Sequence, residues 1–282
     1  MFSNITNSFN NQAIGVMDSG VGGISVLKHI HTLMPHESLI YFADSKYAPY
    51  GNKTPAEITA RCMKIADFLI KQNVKAIVVA CNTATAAAID EMREKCTAPD
   101  FNFIIIGMEP AVKPAAEASK NGIIGVLATV GTLKSAQFAA LLESYGRNVK
   151  VVTQACVGLV ECIERGELDT PETKALIRQY TAPLLAEGAD TIVLGCTHYP
   201  FVKHVIQEIV GKNISLIDTG AAVANQLKLQ LQQKSKLAIK MQSISTQVAS
   251  IRFWSNSTNQ HASAVVEVLW GMPADLALIN SV

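Results

Sequence analysis

One pattern occurs twice in this chain. "KAIVVACNTAT" from Lys75 and "DTIVLGCTHYP" from Asp190 are both short apolar runs that end on a cysteine and pass into polar residues, and Cys81 and Cys196 lie 115 positions apart. An internal repeat constrains a fold more than any single motif, because each copy must be a unit that buries the same face. The echo extends outward. "AIGVMDSGVGGISV" from Ala13 matches "IIGVLATVGTLKS" from Ile123, and a helix opened by Thr-Pro precedes each cysteine run, with Thr54 27 residues before Cys81 and Thr170 26 before Cys196.

The segments between these landmarks have helical character. In "TPAEITARCMKIADFLI", Thr54 is placed to cap, Pro55 to occupy the first turn and Glu57 to complete a capping box. Ile58, Cys62, Ile65 and Leu69 then share one face. In "TPETKALIRQYTAPLL", Leu176, Ile177, Tyr180 and Leu184 do the same. "ATAAAIDEMREK" and "PFVKHVIQEIVGK" follow the two cysteines as helices, the second with Pro200 near its start and Gly211 at its end. Each half then returns to an apolar strand, "FNFIIIGMEP" and "ISLIDTG". Short apolar runs alternating with helices predict parallel sheets with helical crossovers. The expected fold class is α/β: two pseudo-symmetric domains, each a mostly parallel sheet flanked by helices, with an active site in the cleft between them. "LKLQLQQKSKLAIKMQSISTQ" from Leu227 reads as a helix that gives way to an irregular or hairpin-like connection, "IRFWSNST" as a last strand and "NQHASAVVEVLW" as a last helix. The expected division is 1–108 plus 225–282 for the first domain and 109–224 for the second; the return of the last elements to the first domain rests partly on the family resemblance drawn below.

Charge narrows the partners. With 24 Lys plus Arg against 23 Asp plus Glu among 282 residues, and no basic run, the signature of a nucleic-acid or anionic-membrane binder is missing. The ligand is therefore expected to be small. Neither a signal-like start nor an apolar stretch of membrane-spanning length is present, which points to the cytoplasm. Six cysteines without a secretory signal read as reduced thiols. Cys62, Cys96 and Cys162 sit on helical stretches as small space-fillers. Neither a Cys-x-x-Cys nor a His-Glu-x-x-His spacing occurs, so no metal site is expected.

Cys81 and Cys196 differ from those three because polar, helix-opening residues follow them. Ligands of parallel sheets bind where strand ends meet helix starts. The amides and dipole there stabilise negative charge and can lower a thiol's pKa from about 8.5. Two such thiols facing one another across a cleft have the geometry of stereochemical inversion: one removes a proton from carbon and the other returns a proton from the opposite side. "MDSGVGG" ends the first strand on Asp18 and Ser19 in a glycine turn suited to an anion. Its Ser25 stands at the last glycine place of a G-x-G-x-x-G fingerprint, which argues against a dinucleotide. His198, two positions beyond Cys196, would share its face on an extended backbone and could tune that thiol. "YFADSKYAPYGNKT" supplies a loop, with Tyr50 between Pro49 and Gly51, on the edge that carries Asp18 and Cys81.

Taken together, "DSGVGG", "ADSKYAPYGNKT", "ACNTATA", "GMEPAVKPA", "LGCTHYP" and "IDTGAAVA" resemble the bacterial glutamate racemases of the Asp/Glu racemase superfamily, in order from Asp18 to Ala224. The resemblance implies cofactor-independent interconversion of L- and D-glutamate for peptidoglycan synthesis by a homodimer. It implies that Cys81, with Asp18 beside it, serves D-glutamate. Cys196 would serve L-glutamate, helped by His198 and by Glu164, with Glu161 a competing choice because "ACVGLVECIERGEL" departs from the family's Cys-Pro. It assigns substrate contacts to Asp18, Ser19, Pro49, Tyr50 and Gly51, to Cys81, Asn82 and Thr83, and to Thr129, Thr132, Cys196, Thr197 and His198. Ala128 and Phe138 stand where the family commonly has Gly and Tyr. Competing readings are an aspartate or hydantoin racemase, a thiol amidase using Cys196 and His198, and a non-catalytic amino-acid binding protein.

Overall fold

The apolar runs become strands, and every strand pair among the described residues is parallel. The computed structural model describes residues 12–96, 103–238 and 249–282. The chain begins β1 (Ile14–Asp18), α1 (Ile24–Leu33), β2 (Leu39–Ala43), α2 (Pro55–Lys71), β3 (Ala76–Val79), α3 (Asn82–Cys96) and β4 (Ile104–Ile106). It continues through α4 (Val112–Ala118), β5 (Ile123–Ala128), α5 (Val130–Leu133), α6 (Ala136–Tyr145), β6 (Lys150–Ala155), α7 (Leu159–Glu164), α8 (Pro171–Ala186), β7 (Thr191–Leu194), α9 (Lys203–Val210) and β8 (Ser215–Ile217). The last elements are α10 (Gly220–Gln233), β9 (Ile251–Ser255), α11 (Ala262–Trp270) and β10 (Leu276–Leu278).

The repeat in the sequence is a repeat in topology. One sheet runs β10-β9-β2-β1-β3-β4 and the other β6-β5-β7-β8. The order β2-β1-β3-β4 is thus reproduced strand for strand by β6-β5-β7-β8, and β9 and β10 extend the first copy. In each sheet the chain turns one way after its first strand and the other way before its third, which leaves a crevice between those two strands at their carboxyl ends. Asp18 and Cys81 flank the first crevice, and Thr129 and Cys196 the second.

Local chemistry fixes the elements around these ends. Thr54 caps α2 with the full capping box: its hydroxyl accepts from Glu57 N, and the Glu57 carboxylate accepts from Thr54 N. Thr170 caps α8 by accepting from Thr173 N. The stripe of α2 is buried, while on α8 Ile177, Tyr180 and Leu184 are buried and Leu176 only partly so. α10 lies on the first sheet's core through Val223, Ala224, Leu227 and Leu231, beside α1. The expected irregular connection falls largely outside the described residues. Its neighbours β9 and α11 stand where they were anticipated, but β10 was not, because its three residues are too few to show a period.

Two expectations about the second half need correction. The helix after Cys196 does not start at Pro200: a 3-10 turn, Tyr199–Val202, comes first and α9 begins at Lys203. His198 is not on extended backbone either, since its φ of −74° and ψ of −37° are helical. Among the described residues no helix is long and apolar enough to cross a membrane.

Candidate active site

Both repeated cysteines line one narrow cavity between the sheets. Ser19, Pro49, Tyr50, Gly51, Cys81, Asn82 and Thr83 line it from the first sheet's side. Thr129, Cys196, Thr197 and His198 face them, and Val160 and Gly195 complete the wall without having been singled out in the sequence. Asp18, Thr132 and Glu164 stand one layer behind.

Cys81 immediately precedes α3, and its Sγ accepts from Ala84 N at 3.4 Å, so the helix start reaches the sulfur. Ser19 Oγ lies 3.7 Å from Sγ and 3.5 Å from Asp18 Oδ1, and Asp18 Oδ2 accepts from Gly23 N at 2.8 Å. The expected lowering of the Cys81 pKa does not result. Burial, joined by the Asp18 charge, pushes the thiol well above its ordinary value despite the amide of Ala84. The Asp18 carboxyl is itself raised by burial, against the opposing pull of His198 and Gly23 N. Sequence reasoning weighed the helix dipole but had no measure of how completely these atoms leave water.

Cys196 is served by side chains instead. His198 Nδ1 lies 3.5 Å from its Sγ, and His198 Nε2 meets Glu164 Oε1 at 2.6 Å. Burial alone would lower His198, but hydrogen bonds to Cys196 and Glu164, with their charges, hold the imidazole well above its usual value. The carboxylate bonded to His198 is that of Glu164; Glu161 lines a neighbouring cavity with Arg165.

The first glycine turn presses on this dyad. Glu164 Oε1 also accepts from Val21 N at 2.7 Å, across the two halves. A Cβ on Gly20 would overlap the Glu164 carboxylate, and one on Gly22 the His198 ring, so glycine permits the close approach at both positions. Ser25 Oγ lies within donating distance of Thr197 O at 2.8 Å and of Gly22 O at 2.9 Å, a cross-link that no local pattern encodes. Tyr41 OH, equally unforeseen, donates to Gly20 O.

Polar groups from both halves converge at the cavity. Thr83 Oγ1 lies 2.9 Å from Thr129 Oγ1 and 3.2 Å from Thr132 Oγ1, which are 3.0 Å from each other. Both Oδ1 and Nδ2 of Asn82 are buried without a hydrogen bond. An unsatisfied buried polar group costs about 1–3 kcal/mol, a cost that a polar ligand would remove. Among the described residues one set of potential metal ligands converges, Cys162 with Glu167 and Glu172, and Arg165 already lies beside all three.

The chain is 53% identical over 264 residues to a glutamate racemase of Ectopseudomonas mendocina, covering 93% of this chain and 96% of that one. A glutamate racemase structure from Bacillus anthracis superposes with a TM-score of 0.82 at 30% identity, covering 96% of this chain and 98% of the other. A glutamate racemase from Francisella tularensis, solved with D-glutamate, gives 0.80 at 29% identity, again over 96% and 98%. The family model for Asp/Glu/hydantoin racemase matches residues 14–227, which takes in both cysteine strands. The chain belongs to the Asp/Glu/hydantoin racemase family.

Proposed function

We propose that this chain racemises glutamate through its two cysteines. The observation that carries the reading is the placement of two equivalent thiols on one cavity, each with its own polar partners. In the D-to-L direction the Cys81 thiolate removes the α-proton, and the electron pair left on Cα delocalises into the α-carboxylate. The Cys196 thiol then delivers its proton to the opposite face. Cys81 ends as a thiol and Cys196 as a thiolate, and the L-to-D reaction runs these transfers in reverse. The chain's own donors must stabilise the carbanion: the Thr83, Thr129 and Thr132 hydroxyls and the Asn82 amide are placed for it, among largely buried side chains. Thr197 and the Pro49–Gly51 loop complete the pocket.

Asp18 and Ser19 act on the Cys81 side, and Glu164 and His198 on the Cys196 side, with Glu164 the acid in place of Glu161. A homodimeric cytoplasmic enzyme needing no cofactor and supplying D-glutamate for peptidoglycan is the setting this reading implies.

The test is incubation with L-glutamate in heavy water. Racemisation should place deuterium at the α-carbon of D-glutamate, and both Cys81→Ala and Cys196→Ala should abolish interconversion. Full activity in Cys81→Ala would sink the two-thiol mechanism. Binding without α-deuteration would sink catalysis altogether, and faster turnover of aspartate would reassign the substrate.

A further inference from the structure

The loop that forms one wall of the cavity is not held by its own residues. Tyr50 presents its ring to the cavity while its hydroxyl donates to Asp44 Oδ2. Asp44 follows β2, is fully buried, and also accepts from Arg61 Nη2 at 2.6 Å and Nε at 3.0 Å. The Arg61 guanidinium in turn covers the Tyr47 ring, 3.9 Å from its centroid. One further side chain enters this group, and it comes from the far end of the chain.

Asn256 follows β9, the strand that pairs with β2, and is 1% exposed. Its Nδ2 donates to Asp44 Oδ1 at 2.5 Å, and its Oδ1 accepts from Lys46 N at 3.0 Å. The amide therefore bridges the carboxylate that anchors Tyr50 and the backbone at the loop's start. Ser255, just before it, ties the same strand ends together through Oγ to Ala43 O at 3.1 Å. Across the cavity Gly51 packs against Thr129 of the second half, so a shift of the loop changes both the cavity and the contact between halves.

We infer that Asn256 is a positioning residue for the substrate wall, fixing Pro49, Tyr50 and Gly51 through Asp44 and Lys46. It touches neither thiol nor any partner of the thiols, so its contribution is to binding and not to proton transfer. Burial and the Asp44 charge push the Tyr50 phenol far up, which keeps its hydroxyl a donor to Asp44 throughout the working range. Loss of the amide leaves Lys46 N without its acceptor and Asp44 with one donor fewer, and the wall loosens at both ends.

The inference rests on the glutamate reading for its kinetic test and is independent of it for its physical one. In Asn256→Ala, KM for glutamate should rise roughly tenfold, the equivalent of losing one or two ordinary hydrogen bonds, with kcat within about a factor of two, the signature of lost uniform binding. Amide hydrogen exchange should quicken in residues 45–52 and stay unchanged in β1, β3 and β7. Tyr50→Phe, which cuts only the hydroxyl tether, should raise KM in the same way and serves if Asn256→Ala does not fold. An unchanged KM, or faster exchange throughout the protein with kcat and KM falling into disorder together, overturns the inference. If the native chain does not turn over glutamate, the functional reading fails alone, and exchange in 45–52 still decides whether Asn256 holds the loop.

Discussion

The two cysteine sites occupy equivalent places in a repeated fold and differ in nearly everything else. Cys81 abuts a helix, and its nearest polar partners are the Ala84 amide and a chain through Ser19 to Asp18 with links of 3.7 and 3.5 Å. Cys196 is separated from α9 by a 3-10 turn and faces an imidazole that is locked to Glu164 at 2.6 Å. Duplication thus placed the sulfurs, whereas the proton chemistry around each was built separately: by backbone and a buried acid on one side, by a charged dyad on the other. The tight dyad also touches the opposite half through Val21 N, so the Cys196 side depends on closure in a way the Cys81 side does not.

This asymmetry can be broken from the dyad outward. His198→Asn removes the charge beside Cys196, and kcat should fall by about 10²- to 10⁴-fold, the usual range for general acid–base assistance. L- and D-glutamate have equal free energy in water, so kcat/KM must fall equally in both directions. The asymmetry shows instead in isotope effects. With α-deuterated substrates the effect should grow for L-glutamate, whose proton the proposed mechanism sends to Cys196, and shrink for D-glutamate, whose proton it sends to Cys81. Equal changes in both directions would contradict the assignment of His198 to one thiol.

Glu164→Gln should cost less, roughly 10- to 100-fold in kcat, since a charge-assisted hydrogen bond contributes about 1.5–3 kcal/mol. Gln can still accept from Val21 N, which keeps the halves tied. Stability should respond with a definite sign. The folded pKa of His198 lies above its unfolded value of about 6.5, so the stability due to the protonated ring is complete below that value and is lost as pH rises through the folded pKa. The deficit of Glu164→Gln in denaturant unfolding should be largest in the acid-to-neutral range and should narrow at alkaline pH.

Asp18→Asn probes the looser side, and the expected loss in kcat is smaller, roughly tenfold, because Asp18 acts through Ser19 over two long links. The Asp18 charge is one of the causes that raise the Cys81 thiol, so its removal should bring that thiol's titration to lower pH, read by ultraviolet thiolate absorbance in a Cys196→Ala background. A shift to higher pH would show that the carboxyl stabilises the thiolate.

What the sequence revealed and what it hid follow from the same asymmetry. Cys81, Cys196, Asp18 and Ser19 were legible because they end strands that repeat, and a strand end in a parallel sheet is a place of known chemistry. Tyr50 and Gly51 were legible as a loop after a strand. His198 was legible as the residue two beyond Cys196, but the partners distant in sequence were not. Glu164 meets Val21 across 143 residues and Asn256 meets Asp44 across 212, and no local period encodes such pairs. Glu164 was named from family resemblance, by its place eight residues beyond Cys156, and Glu161 stayed a rival because the segment departs from the family's Cys-Pro; both lie on the single short helix α7. The raised Cys81 thiol was missed because the sequence shows the helix start that lowers a pKa and hides the burial that raises it.

The smallest expected effect belongs to Ser25, which occupies the place where a dinucleotide-binding turn would carry glycine. That residue instead offers a hydroxyl to Thr197 O, the carbonyl between Cys196 and His198, from the opposite half of the molecule. Ser25→Ala removes one neutral hydrogen bond, about 0.5–1.5 kcal/mol, and leaves Thr197 O to find another donor at a site where water is scarce. Denaturant unfolding should register a loss of that size. Because the bond steadies the segment that carries His198 and touches nothing beside Cys81, the accompanying few-fold fall in kcat should follow the His198→Asn pattern, with the isotope effect rising for L-glutamate alone. A fall with the opposite pattern would place the coupling between halves on the Cys81 side, where the threonine hydroxyls of Thr83, Thr129 and Thr132 and the packing of Gly51 against Thr129 could carry it.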